Sequence, residues 1–123
     1  MPSEQQIEQI KKQMNDIITL RGEIETRESI CINLKNEGNT RGFSAAQRQQ
    51  LIRQHTKAIN GLRRDLDAAL ALIEKAEKPL YRQLLMLHFS EGFTWAEVAD
   101  ALNYSEKQVY RYYKAALYSI AAK

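Results

Sequence analysis

The stretch Thr94–Leu117, TWAEVADALNYSEKQVYRYYKAAL, has the spacing of two short helices joined by a tight turn. Thr94 with Glu97 and Ser105 with Gln108 are two capping boxes: a hydroxyl residue is followed three positions later by a side chain able to reach back to the cap. Counted from Trp95, residues Val98, Leu102, Val109 and Tyr112 stand where such a pair closes its small core. Ala99 stands where the second helix crosses closely and only a small side chain fits. Asn103 stands where the turn requires left-handed backbone, which asparagine tolerates. The spacing predicts a helix-turn-helix.

On its second helix, Val109, Tyr112, Ala116 and Ile120 share one face, with Tyr113 at its border. The opposite face carries Lys107, Arg111, Lys114 and Tyr118, with Glu106 and Tyr110 beside them. Tyr112 and Tyr113 are therefore expected in the core, and Tyr110 and Tyr118 on a surface that can meet a partner. The cations suit phosphates or the acceptor edge of guanine, and Glu106 can accept from a cytosine amino group, so an acidic residue at the reading end does not exclude base recognition.

Upstream, the pattern lengthens. Ile10, Ile17, Ile24 and Cys31 recur every seven residues, flanked by Ile7, Met14 and Leu20, which predicts a long helix from about Ser3 to Lys35. Gly22 weakens that helix by about 1 kcal/mol relative to alanine without ending it. NEGNTRGF at Asn36–Phe43 reads as a loop, and Ser44 with Gln47 as the capping box of a second helix. Along that helix Ile52, His55, Ile59, Leu62, Leu66, Ala69, Ile73, Ala76 and Leu80 keep spacings of three and four. Pro79 marks the next junction, after which three short helices are expected.

The expected fold is all-α: a long antiparallel coiled-coil helical hairpin over residues 1–78, followed by a three-helix helix-turn-helix domain over 79–123. Ile30, Leu34, Ala68 and Leu72 fall off the shared seam, which predicts either self-association, as a homodimer, or packing on the last segment.

The chain has 123 residues, 44% hydrophobic and 27% charged, with two prolines and five glycines, a composition that leaves little room for a β-sandwich. One cysteine cannot form an internal disulfide, and with two histidines it makes no metal-ligand cluster; no metal or cofactor is expected. The N-terminus lacks an apolar leader and no apolar run approaches bilayer length, so a soluble, cytoplasmic protein without membrane contact is expected. No nucleophile with a neighbouring base, phosphate loop or carboxylate pair appears, and no enzyme activity is assigned.

Net charge is +3, but Gly38–Arg64 holds six basic residues (Arg41, Arg48, Arg53, Lys57, Arg63, Arg64) and no acidic one. Arg53, Lys57 and Arg64 lie opposite the apolar seam and read as a solvated face before a phosphate-binding one.

PLYRQLLMLHFSEGFTWAEVADALNYSEKQVYRYYKAAL, Pro79–Leu117, resembles region four of bacterial sigma factors. It has the pattern of an apolar helix, an acidic-Gly-apolar turn, a W/Y-x-E-[IV]-A helix and an S-x-x-x-V recognition helix ending in A-L. With the preceding hairpin, the whole chain resembles phage-encoded sigma-like transcription regulators of the ArpU and RinA type. The resemblance implies a regulator that binds double-stranded DNA, with Glu106, Lys107, Tyr110 and Arg111 facing bases and Thr94 and Lys114 near phosphates. It also implies that the first short helix, around Leu84, Leu85 and Phe89, faces host RNA polymerase. Tyr110 stands where sigma factors often carry arginine, and the segments that bind the downstream promoter element are missing, so a complete sigma factor is not expected. Two other readings share the architecture: a small terminase-like DNA-packaging subunit and a protein-binding adaptor of RNA polymerase.

Overall fold

The computed structural model describes residues 2–36 and 42–123. The expected loop at Asn36–Phe43 lies largely outside the described residues, as does Arg41. The elements of the described residues are all helices: α1 (Glu4–Asn15), α2 (Ile17–Lys35), α3 (Ala45–Glu74), α4 (Pro79–Leu85), α5 (Trp95–Leu102) and α6 (Glu106–Ala121). One wider turn, Met86–Ser90, prolongs α4. No helix among the described residues is long and apolar enough to cross a membrane.

Local chemistry sets most helix starts. Ser3 forms a full capping box with Gln6, the backbone N–H of Gln6 donating to Ser3 Oγ at 3.2 Å and that of Ser3 to Gln6 Oε1 at 2.8 Å. Ser44 and Gln47 repeat the arrangement before α3, at 3.1 and 2.8 Å. Each box satisfies two backbone donors that a helix start leaves orphaned.

Two helix boundaries differ from the periodicity. The expected Ser3–Lys35 helix is interrupted at Asp16, between α1 and α2. The interruption falls at Asn15–Asp16, two residues whose short polar side chains compete with helical backbone bonding, and not at Gly22. The second helix ends at Glu74, before Ala76 and Leu80 of the expected seam. Pro79 holds Lys78 extended, at φ −114° and ψ 146°, and so ends helical backbone upstream of itself. The loop carbonyl of Ala76 accepts from Arg82 Nη1 at 2.7 Å, and the Glu77 N–H donates to Ser119 Oγ at 3.2 Å.

The chain divides into two compact units, Met1–Ile18 with Asp67–Lys123, and Thr19–Leu66, where the sequence suggests 1–78 and 79–123. In the first unit α1 packs on α6, and α4 and α5 pack on α6 as well. Its buried residues include Ile10, Met14 and Ile17 from the N-terminal seam together with Ile73, Tyr81, Leu84, Leu85, Phe89, Val98, Ala99, Val109, Leu117 and Ile120. Leu84, Leu85 and Phe89 themselves fill this core, and the exposed side of α4 is carried by other residues such as Gln83. Leu117, absent from the expected apolar face, is buried because α6 is covered by α1 as well as by α4 and α5. Leu72 lines a groove with Ile10 and Ile120, packing toward the last segment.

The second unit is a helical hairpin whose buried centre is Ile24, Cys31 and Ile59, with Ile52, Leu62 and Leu66 packed against it. His55 lies half-buried in the hairpin, its Nδ1 accepting from Arg27 Nη1 at 3.1 Å, which places the ring proton on Nε2. Arg63 pairs with Glu28 at 3.1 Å, but both side chains are about half exposed and the pair contributes little, about 0–1 kcal/mol. Leu34 is also buried, whereas Ala68 is exposed and Ile30 half-buried.

Gly22 sits inside α2, and a methyl group added there meets nothing within 4 Å. Gly22→Ala is expected to stabilise the hairpin by about 0.5–1 kcal/mol, chiefly by narrowing the unfolded ensemble. A urea titration reading helical ellipticity checks this, and an unchanged or lower midpoint would contradict it.

Candidate nucleic-acid interface

Helices α5 and α6 form a helix-turn-helix with the predicted local chemistry. Thr94 Oγ1 accepts from Glu97 N at 3.1 Å while Thr94 N donates to Glu97 Oε1 at 3.0 Å. Ser105 and Gln108 repeat this before α6, both bonds at 3.2 Å. Asn103 adopts left-handed backbone, φ 60° and ψ 45°, the one non-glycine residue among those described to do so. The Tyr104 N–H then reaches the Ala99 carbonyl at 3.0 Å, closing α5 with the six-to-one bond that a left-handed cap permits. Val98 and Val109 are fully buried and Ala99 nearly so, while Leu102 and Tyr112 are half-buried.

The six sequence-predicted contact residues, Thr94, Glu106, Lys107, Tyr110, Arg111 and Lys114, are all exposed. Five of them share the solvent face of α6 with Tyr118, at spacings of three and four residues that align side chains along a helix. Tyr110 and Tyr118 are 54% and 51% exposed and present aromatic surface on this face. The Lys114 ammonium lies over the Tyr110 ring, 4.8 Å from its centroid, so the two side chains form one cationic-aromatic contact surface. Thr94 is set apart from the other five at the start of α5. Its N–H donates to the Glu97 carboxylate and its Oγ1 accepts from the Glu97 N–H, and hydrogen bonds from the Thr94 backbone and hydroxyl hold that carboxyl below the usual carboxylate range. Thr94 therefore stands beside a negative charge that its own groups help to hold.

An aromatic cluster supports this face from beneath. His88 stacks on Trp95 with ring centroids 3.7 Å apart and planes within 14° of parallel, and Trp95 packs on Tyr113 at 4.8 Å. Phe89 meets Trp95 edge-on at 6.3 Å, and Tyr113 borders Tyr110 at 6.3 Å. Burial pushes the Tyr113 phenol up to about 12, with Tyr110 and Glu8 of α1 adding to the shift, so Tyr113 stays protonated. Tyr104 had no role in the sequence reading. It is 37% exposed, lies in the turn just before Ser105, and is held edge-on to Tyr112 at 5.3 Å. Its position beside the second cap was the signal available for it.

His88 is half-buried, and its Nδ1–H donates to the Phe93 carbonyl at 2.7 Å. Burial lowers its pKa, and the carbonyl bond only partly offsets this. The folded state therefore binds fewer protons than the unfolded one as pH falls through about 6.5. Stability contributed by neutral His88 is present above that pH and lost below it. Thermal melts from pH 7.5 to 5 should fall more steeply for wild type than for His88→Gln; parallel curves would remove His88 as the cause.

Among the described residues no three histidine, cysteine, aspartate or glutamate side chains gather as a metal site. Neither the comparison with curated proteins nor that with solved structures gave a match. Residues 77–118 match the family model of the homeodomain-like domain, in agreement with the helix-turn-helix that α5 and α6 form in the C-terminal part of the chain.

Proposed function

We propose that this chain is a non-catalytic, DNA-binding transcription regulator that reads double-stranded DNA with α6. The observation that carries the proposal is the exposed face of Glu106, Lys107, Tyr110, Arg111 and Lys114 on the second helix of a capped helix-turn-helix. Such a helix presents its N-terminal side chains to base edges in the major groove while the preceding helix crosses the backbone. Lys107 and Arg111 supply donors for guanine, Glu106 an acceptor for cytosine, and Tyr110 apolar contact with thymine methyls. Lys114 and the Thr94 hydroxyl take the positioning contacts to phosphate.

The finer reading is a phage or prophage regulator acting in the bacterial cytoplasm, as a homodimer, on host RNA polymerase. Its support is the sigma region-four pattern of Pro79–Leu117, and any polymerase contact falls to exposed residues other than Leu84, Leu85 and Phe89. Light scattering at micromolar concentration tests the dimer, and a single monomeric species excludes it.

The DNA reading is tested by binding purified protein to fragments flanking its own gene, over a salt series and against random competitor. Expected is a complex that weakens with salt and survives competitor. A complex that competitor abolishes at every salt concentration would refute site-specific reading.

A further inference from the structure

We propose that the basic stripe of α3, Arg53, Lys57 and Arg64, is a second contact surface for the phosphate backbone of double-stranded DNA, distinct from the face of α6. The choice of polyanion rests on the reading of α6 as a DNA-binding helix.

The first 20 residues of α3, Ala45–Arg64, carry five basic residues and no acidic one. Two of the five are engaged: Arg63 with Glu28 at 3.1 Å, and Arg48 with the Phe43 carbonyl at 3.4 Å. Arg53, Lys57 and Arg64 are exposed and form no ion pair with any described carboxylate. At about 100° per residue these three fall within an arc of about 40°, on the side of α3 away from Ile52, Ile59, Leu62 and Leu66. Gln49, Gln50 and Asn60, also exposed, border the same strip with uncharged amide donors. Acidic residues resume only at Asp65 and Asp67.

A helix face that serves only to stay hydrated gains from alternating charges at i, i+4, whereas Arg53 and Lys57 repel at that spacing. A polyanion laid along the strip relieves the repulsion. The strip runs about 16 Å at 1.5 Å per residue, enough to meet two or three phosphates of a duplex that carries one per roughly 3.4 Å of each strand. The surface also meets a shortage elsewhere. Residues 79–123 hold five basic and four acidic side chains, a balance of +1, so the helix-turn-helix end alone attracts DNA weakly.

The test uses the full-length chain and a random-sequence duplex, with binding followed by fluorescence anisotropy between 50 and 200 mM salt. In R53Q/K57Q/R64Q the slope of log K against log salt should fall by about 2 to 3, near 0.9 for each phosphate that is no longer neutralised, with helical ellipticity and Trp95 emission unchanged. R53K/R64K keeps the charges and should keep the slope. A slope equal to wild type in the triple glutamine variant overturns the proposal, and the reading of α6 then stands if K107A/R111A still abolishes preference for a specific site. The converse, a reduced slope in the glutamine variant with K107A/R111A binding as wild type, keeps the α3 surface and overturns the role of α6. Failure of the wild type to bind any duplex at 50 mM salt overturns both.

Discussion

Met14→Ala is expected to destabilise the unit of Met1–Ile18 and Asp67–Lys123 by about 2–5 kcal/mol. Met14 is completely buried, and the helix that carries it, α1, packs on α6. Truncation removes the transfer free energy of the side chain and leaves a cavity that its buried neighbours fill only in part. The effect reaches the contact face because α6 is then less firmly held. Trp95, the single tryptophan of the chain, lies on α5 between His88 and Tyr113 and reports on this unit. With an m-value of about 2 kcal/mol per molar urea, its fluorescence transition should move down by about 1 M or more. A Trp95 transition that stays in place would show that α1 contributes nothing to the helix-turn-helix.

K107A/R111A should weaken binding to a specific DNA site by about 2–6 kcal/mol, from roughly thirtyfold to about 25,000-fold, since a good contact to a base edge discriminates by about 1–3 kcal/mol. Lys107 and Arg111 sit one helical turn apart on the exposed face of α6. Neither forms an ion pair with a described residue, so their truncation should leave folding stability within about 0.5 kcal/mol of wild type. Loss of affinity then reports on recognition and not on unfolding. Titration of a labelled duplex carrying the site measures it, with the thermal midpoint as control. Affinity within twofold of wild type would remove both residues from the reading face.

The site's local parts could be read from residues close together in the chain. Thr94, Glu97, Ser105, Gln108 and Asn103 set their own caps and turn through bonds spanning three to five residues, and the structure reproduces each one. The exposed face of α6 followed in the same way, because helical periodicity alone separates Lys107, Arg111 and Lys114 from Val109, Ala116 and Ile120.

Partners across the fold could not be read this way. Ile10 and Ile17 announce an apolar face by their seven-residue spacing, yet nothing in the spacing says that α1 covers α6 within a unit separate from the hairpin of Thr19–Leu66. The burial of Leu84, Leu85, Phe89 and Leu117, the stacking of His88 on Trp95 and the interruption at Asp16 were likewise decided in three dimensions. The physical reason is that hydrogen-bonded caps and turns are directional and local, whereas apolar burial is non-directional and accepts any complementary surface. By itself the sequence determined an all-helical chain ending in a capped helix-turn-helix with a cationic, tyrosine-bearing face. Tertiary packing alone decided which helices hold that face in place.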